Sequence, residues 1–162
     1  ATAYEETVNV PLVFRYPNGL PAGELRDAIA SHVDVRSTLV DLAGLDADLD
    51  VDGRSMRSLL EDGEAYRDEA LIEYHAFAKD RTGDDGFLPL RALVTERDKL
   101  VLNLLETDEF YDLDADPGEV TNRIDDPDVA ERRDRRFERL TSILEETDDP
   151  FYGGHWDDRH WR

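Results

Sequence analysis

The chain has 162 residues, which is enough for one domain, or for one small domain with part of another. Its 40 acidic and 19 basic residues give a formal net charge of −21, which argues against binding of DNA or RNA, because phosphates require a basic face. Cysteine is absent, which excludes a disulfide, a thiolate metal site and a thiol nucleophile, and no apolar run approaches the roughly 20 residues of a membrane span.

The acidic residues are spread along the chain, and a hydrophobic content of 40% argues against disorder. We therefore expect a folded protein with a solvated acidic surface, similar to the proteins of halophilic organisms. Such a surface repels itself at low salt. No signal peptide is visible at the first residue. These features do not determine the cellular compartment of the protein, and the cytoplasm of a halophile is one interpretation.

The first third of the chain predicts one strand and one helix. The apolar, β-rich residues 8–16 predict a strand that ends at the turn Pro17-Asn18-Gly19. Residues 31–44 predict a helix, and Gly44 suits its C-terminal end because glycine readily adopts a left-handed backbone. The apolar face of this helix would contain Val33, Leu39, Val40, Leu42 and Ala43.

An acidic loop follows the predicted helix. Asp48, Asp50, Asp52 and Gly53 match positions 1, 3, 5 and 6 of an EF-hand calcium loop. The bidentate acid that position 12 requires is replaced by Leu59. We therefore expect a solvated acidic loop rather than a calcium site.

The second half of the chain predicts a small antiparallel sheet. Residues 70–75 predict a strand, and residues 77–86 predict a polar loop. Residues 89–95 and 100–104 are two apolar runs joined by four polar residues, which suggests a hairpin. Residues 111–113 would add a further strand, so about four short strands result.

A long helix is predicted near the C-terminal end. Asp126 resembles an N-cap followed by Pro127 at the first helical position. Apolar residues then recur at helical spacing through Glu146. These residues are Val129, Phe137, Leu140 and Leu144.

Residues 110–122 have an order that an ordinary turn does not need. They read Phe-Tyr-Asp-Leu-Asp-Ala-Asp-Pro-Gly-Glu-Val-Thr-Asn. Aspartate side chains bond nearby backbone N–H groups, proline fixes φ and glycine permits positive φ, so we expect a short strand, a sharp turn and the start of a helix. The whole order resembles the LYDL-x-x-DP-x-E-x-x-N segment near the C-terminal end of sulfatases.

Further stretches carry the same resemblance. Residues 10–17 and 32–44 are similar to the sulfatase patterns VPLI…P and VDL-x-PTLLDLAG, with Ser37 where that family usually has proline. Residues 88–104 follow Glu-Tyr-His and resemble YPMR-x-VRT-x-x-x-K-x-x-x-N-L of the heparan N-sulfatase (sulfamidase) branch. The resemblance extends to arylsulfatase-like members and covers nearly the whole chain.

The resemblance implies an α+β fold built from two parts of a sulfatase. Residues 1–67 would be the C-terminal end of the large alkaline-phosphatase-like α/β domain, contributing an edge strand and a helix. Residues 68–162 would be the sulfatase C-terminal subdomain, a small antiparallel four-stranded sheet with a long C-terminal helix.

The resemblance also implies which chemistry lies elsewhere. Sulfatases hydrolyse a sulfate ester or sulfamate with a formylglycine made from Cys or Ser in C/S-x-P-x-R, and with a divalent cation, usually calcium. This chain has no cysteine and no serine in that context. We therefore expect both groups, and the metal ligands, in a missing N-terminal sulfatase domain that is the main partner. Taken alone, the chain should be an inactive fragment of an enzyme that acts on a sulfated small molecule or sugar.

Four residues are candidates for the substrate pocket. The smaller sulfatase subdomain lends loops to the mouth of the active site, which makes His75 the first candidate and Arg91 the second. Their structural alternatives are a surface histidine at a strand end and an arginine paired with Glu73 or Glu96. Tyr4 and Glu5 are candidates by position, because family members often carry a sulfate-facing Lys or Arg about four residues before the equivalent tyrosine.

Two other functions stay open at this point. The chain could be a stand-alone interaction module that uses the sulfatase fold without chemistry, or a calcium-buffering acidic protein. Phosphatases and phosphodiesterases share the superfamily, so this region does not fix the leaving group.

Overall fold

The computed structural model describes residues 3–45, 50–74, 77–79, 85–87, 89–103, 106–150, 152 and 161, with the backbone alone at 77–79 and 85–87. The chain forms two compact units, one of Ala1–Val10 with Leu71–Arg162 and one of Pro11–Ala70. Its helices are α1 (Glu5–Val8), α2 (Asp34–Leu42), α3 (Arg57–Asp62) and α4 (Ala130–Glu146), with a 3₁₀ turn at Pro127–Val129. Its strands are β1 (Glu69–Tyr74), β2 (Phe77–Lys79), β3 (Asp85–Phe87), β4 (Leu90–Thr95), β5 (Asp98–Asn103) and β6 (Glu109–Asp112).

The larger unit is built on a four-stranded sheet with the order β1-β4-β5-β6. Antiparallel pairing places Leu93 opposite Leu100, and Leu100 opposite Phe110. These side chains therefore share one face, and α4 packs its apolar stripe against it. The predicted α+β arrangement of a four-stranded sheet and a long C-terminal helix is confirmed. The core here contains Leu93, Leu100, Leu102, Phe110, Phe137, Leu140, Leu144 and Trp161.

The start of α4 follows the predicted capping chemistry. The Asp126 carboxylate accepts a hydrogen bond from the Asp128 N–H over 2.9 Å, and Pro127 begins the 3₁₀ turn that leads into the helix. An acceptor at this place satisfies a backbone N–H that has no partner inside the helix. The helix therefore begins where the sequence predicts.

The second face of the sheet carries a smaller apolar cluster. Leu90, Ala92 and Val101 pack there with Ala3, and all four are buried. Strand side chains alternate between faces, so Lys99 and Val101 point away from the face that α4 covers. The segment containing Ala3 thus covers the sheet on the side opposite α4.

Three predictions in the larger unit were wrong. Residues 77–86, predicted as a loop, include an antiparallel hairpin in which Phe77 pairs with Phe87. The loop between β4 and β5 has two residues instead of four, because Thr95 Oγ1 accepts from the Asp98 N–H over 2.9 Å and closes the turn early. After β6 the chain turns, but helical structure begins only at Pro127–Val129.

The strand predicted over residues 8–16 was also wrong. Residue 8 ends α1, and residues 9–16 form no regular element. A β-rich run becomes a strand only where another strand satisfies its backbone, and the described residues supply none. Val10, Leu12 and Val13 are exposed instead.

The smaller unit contains α2 and α3. Gly44 follows the end of α2 with φ +65°, and its N–H donates to the Asp41 carbonyl, as its predicted capping role requires. The predicted apolar face was wrong, because α2 buries Asp34 and Thr38 while Val33 and Leu39 are about half exposed.

Buried polar groups hold this unit together. Asp34 accepts from the Arg54 N–H, from Tyr66 Oη and from Arg67 Nη2, over 2.9, 2.7 and 2.7 Å. Burial and this carboxylate raise the pKa of Tyr66 to about 12. Thr38 Oγ1 accepts from the Met56 N–H over 3.0 Å. These bonds explain why polar side chains occupy the inner face of α2.

None of the described helices is sufficiently long and apolar to span a membrane.

Candidate functional site

Lys99 is a buried lysine that holds the N-terminal segment against the sheet. Its side chain has no exposed surface. Nζ donates to the Ala3 carbonyl over 2.9 Å and to Glu5 Oε1 over 2.7 Å, and it lies 2.8 Å from Glu119 Oε1. Because a buried ammonium is costly without partners, these contacts fix where Ala3 and Glu5 lie. We call Ala3, Glu5, Lys99 and Glu119 the anchor.

Glu119 completes the anchor from the turn that follows β6. Its side chain is 1% exposed, and Oε2 accepts the Glu5 backbone N–H over 2.7 Å. That N–H is the first of α1, which has no capping side chain of its own. A carboxylate at a helix N-terminus satisfies the free donor and complements the local dipole. Glu119 therefore caps α1 from 114 residues away.

The turn residues of the DPGE sequence orient Glu119. The Glu119 N–H donates to the Asp116 carbonyl over 3.0 Å, and the Asp116 carboxylate accepts from the Thr121 N–H over 2.8 Å. Glu119 has φ +52°, an uncommon backbone for a residue other than glycine. The surrounding bonds stabilise this conformation and direct the carboxylate inward.

Tyr4 lies between the two backbone groups that the anchor holds. Its ring meets Tyr111 edge-on, with centroids 6.1 Å apart. Burial, followed by the hydrogen bond with Tyr4, raises the pKa of Tyr111, whose hydroxyl also donates to Glu109 Oε2 over 3.2 Å. Burial raises the pKa of Glu109 as well. Tyr111 therefore stays neutral at physiological pH.

Arg91 lies in a separate cluster. Its side chain has no exposed surface, and Nε donates to Asp149 Oδ2 over 2.7 Å, with Glu73 Oε1 at 3.5 Å. Arg91 Nη1 also donates to the Leu90 carbonyl over 2.9 Å. Glu5 thus belongs to the anchor and Tyr4 lies next to it in the chain, whereas Arg91 has other partners. His75 lies outside the described residues.

Three buried acids of the larger unit pair with cations. Glu119 faces Lys99, while Asp98 and Asp112 bind Arg132 over 2.5 and 2.8 Å. Within the part of the chain that the structure describes, no group of three or more His, Asp or Glu residues is arranged to hold a metal ion. These acids do not fit a calcium site, because their oxygens already face ammonium or guanidinium groups. Asp48 of the EF-hand-like loop lies outside the described residues.

Residues 2–146 match the family described as N-sulphoglucosamine sulphohydrolase, C-terminal. The chain belongs to this sulfatase family. The resemblance inferred from the motifs is therefore confirmed, and so is the four-stranded sheet with a C-terminal helix that it implied.

Relatives with names and structures extend this finding. The chain is 32% identical over 164 residues to the uncharacterized sulfatase YidJ of Escherichia coli K12, an alignment that covers 100% of this chain and 31% of that protein. It is 30% identical over 150 residues to the N-acetylglucosamine-6-O-sulfatase of Bacteroides thetaiotaomicron, covering 89% of this chain and 25% of that protein.

A solved structure has the same architecture. It is that of BT4656 in complex with its substrate D-glucosamine-2-N,6-O-disulfate, with a TM-score of 0.71 and 25% identity, over 85% of this chain and 28% of that one. The sulfatase chain described here thus spans a third or less of the length of these proteins.

Sequence reasoning missed the sulfatase motif residues that build the site. Lys99 and Glu119 both stand in the quoted motifs, but were not singled out. Asn122 was missed too: its Oδ1 accepts from the Phe110 and Ile124 N–H groups over 3.0 Å each. The signal that could have identified these residues is their position in the motifs. Lys99 lies within an apolar strand, and Glu119 and Asn122 follow the Asp-Pro turn.

Proposed function

We propose that this chain is the C-terminal portion of a sulfatase-like hydrolase of sulfate esters or sulfamates. It supplies fold and pocket wall, while the nucleophile and the metal site belong to the preceding part of a longer polypeptide. The observation that carries the proposal is the anchor. Sulfatase motif residues hold Tyr4 and Glu5, and the family resemblance implies a sulfate-facing Lys or Arg about four residues before Tyr4.

The proposed substrate class is a sulfated amino sugar. One relative is named for the removal of a 6-O-sulfate from N-acetylglucosamine, and one similar structure holds a glucosamine with N- and O-sulfates. Formylglycine and calcium would act in the preceding domain, where a cation stabilises the charge that develops on the sulfate. That domain is the proposed partner of residues 1–67, which we propose as the end of the large α/β domain, with residues 68–162 as the smaller subdomain.

The proposed pocket residues are Tyr4, Glu5, His75 and Arg91. Tyr4 and Glu5 are partly accessible and fixed by the anchor, which suits a pocket wall. Arg91 is fully buried and faces Asp149 and Glu73. It would contact substrate only through guanidinium N–H groups that these two acids do not occupy.

Turnover tests the proposal. We expect the native polypeptide that contains this chain to hydrolyse para-nitrophenyl sulfate and N- or O-sulfated glucosamine, and the 162-residue chain alone to release no sulfate. Preference for a phosphodiester would contradict the sulfatase assignment. Sulfate release by the chain alone would contradict its non-catalytic role.

A histidine substitution tests the pocket. In the native polypeptide, His75→Ala should lower kcat/KM by about tenfold or more, because misplaced substrate groups are costly in a site built on orientation. His32→Ala is the matched control, since His32 is exposed. Equal effects of the two variants on kcat/KM would contradict the assignment of His75 to the pocket.

The alternative is an interaction module without chemistry, and one observation favours it. The smaller unit exposes several large apolar side chains, among them Val13, Leu25 and Leu39. Such side chains mark surfaces that bind other proteins when they are contiguous. A native protein that binds a partner but hydrolyses no sulfate would support this function.

A further inference from the structure

Lys99 and Glu119 hold the backbone on both sides of Tyr4. We propose that they are positioning residues of the substrate pocket, which keep Tyr4 and Glu5 at fixed places without touching substrate themselves. This inference rests on the proposed function, because it takes Tyr4 and Glu5 as pocket wall.

The geometry forms a closed ring. Lys99 Nζ donates to the Ala3 carbonyl, which precedes Tyr4, and Glu119 Oε2 accepts the Glu5 N–H, which follows it. Lys99 also binds the Glu5 carboxylate and faces the other oxygen of Glu119. Displacement of Tyr4 would break hydrogen bonds on either side of it, so this residue has little freedom.

The surroundings show that packing alone does not require these charges. Lys99 shares its face of the sheet with Ala92 and Val101, and Ala3 packs against the same cluster. An apolar side chain at position 99 would suit this face, and buried ion pairs are often no more stabilising than well-packed apolar residues. Only the charged pair fixes the direction of this segment, because it binds one of its carbonyls and one of its N–H groups. Among the described residues, no strand pairs with this segment.

Tyr111 fixes the side chain of Tyr4 as the anchor fixes its backbone. Lys99 and Tyr111 are directly opposite each other on β5 and β6, so the two sets of contacts come from adjacent positions of one sheet. The sheet thus specifies both where Tyr4 lies and how its ring is turned.

The test uses three variants of the native polypeptide: Lys99→Met, Glu119→Gln and the double variant Lys99→Met with Glu119→Leu. We expect kcat/KM toward para-nitrophenyl sulfate to fall by about 10- to 100-fold in each, as misplacement of catalytic surroundings by about 1 Å does. Amide hydrogen exchange of residues 5–9 should rise by about tenfold or more relative to β4 and β5. The double variant removes both buried charges, so its Tm should lie nearer to wild type than that of Lys99→Met.

Arg132→Met is the matched control. Arg132 also binds buried acids, Asp98 and Asp112, but on the face of the sheet that α4 covers. It should lower Tm while leaving kcat/KM within about threefold of wild type, because the anchor is intact.

The outcomes separate three cases. Low kcat/KM in the double variant despite a recovered Tm supports positioning. Activity that follows Tm in all variants, including Arg132→Met, or exchange at residues 5–9 that Lys99→Met leaves unchanged, would overturn it. No turnover by the wild-type polypeptide would instead overturn the proposed function, and the positioning role with it.

Discussion

At the scale of single residues, buried charges tie distant parts of each unit together. Lys99, Asp98 and Asp34 are essentially inaccessible, and each contacts partners far away in the sequence. Breaking such a pair leaves an uncompensated charge, which costs more than the intact pair contributes. Single charge deletions are therefore expected to destabilise strongly, even though the surface carries a large excess of acids.

Asp112→Asn tests this at low pH. The hydrogen bond from Arg132 holds the pKa of Asp112 below its usual range. Since the folded pKa lies below the unfolded value of about 3.9, this stabilisation is present above that pH and is lost as pH falls through the folded pKa. We expect the variant to lose about 1–3 kcal/mol at pH 7 and to show a weaker loss below about pH 4.

Urea unfolding at pH 7 and pH 3 measures both quantities. Asp114→Asn is the control, since Asp114 and its partner Arg97 are both more than half exposed. The same pH dependence in wild type and Asp112→Asn would contradict the assigned cause.

The four residues selected for the pocket show what motifs can predict about a site. Tyr4 and Glu5 were identified through the family resemblance, and in the structure Lys99 and Glu119 hold the segment that contains both. The residues that hold them could not be found in the same way, because an acid and a lysine 20 positions apart carry no sign that both face a third segment. Burial and direction of a side chain are properties of the tertiary fold.

At the scale of elements, the sequence correctly predicts the helices and strands that interactions between nearby residues determine. The N-cap of Asp126 and the spacing of Phe137, Leu140 and Leu144 specify α4, and the paired apolar runs specify β4 and β5. The strand expected at residues 8–16 failed because its formation depends on a partner strand. The inner face of α2 was wrong because Asp34 and Thr38 are bound by residues that follow much later in the chain.

Gly53→Ala tests the packing of the smaller unit. A Cβ at this position would lie 1.9 Å from the Val33 carbonyl oxygen, a backbone atom that cannot move aside freely. Ser37 Oγ also donates to the Gly53 carbonyl over 2.7 Å, so the segment is held close to α2. We expect a loss of about 1–3 kcal/mol, the usual cost of overpacking.

Thermal unfolding of the variant, beside Gly118→Ala, measures this effect. At Gly118 the nearest atom to an added Cβ is Val120 Cγ2 at 3.6 Å, an ordinary contact. Similar losses in both variants would mean that the close approach at Gly53 is not what limits substitution.

At the scale of the whole molecule, the net charge of −21 determines the response to salt. Screening shortens the reach of surface repulsion from about 10 Å at 0.1 M salt to about 3 Å at 1 M. The buried pairs are screened less, so we expect Tm to rise with sodium chloride over this range. A Tm that stays constant or falls would contradict a self-repelling acidic surface, and with it the expected similarity to proteins of halophilic organisms.

The most direct test of the proposed enzyme is the intact mass of the native protein from its source. The chain accounts for 31% of a relative that is 32% identical to it. We therefore predict a mass about three times 18.5 kDa, with this sequence at its C-terminal end. A native mass near 18.5 kDa would contradict the proposal, because no preceding part would exist to supply the nucleophile and the metal site.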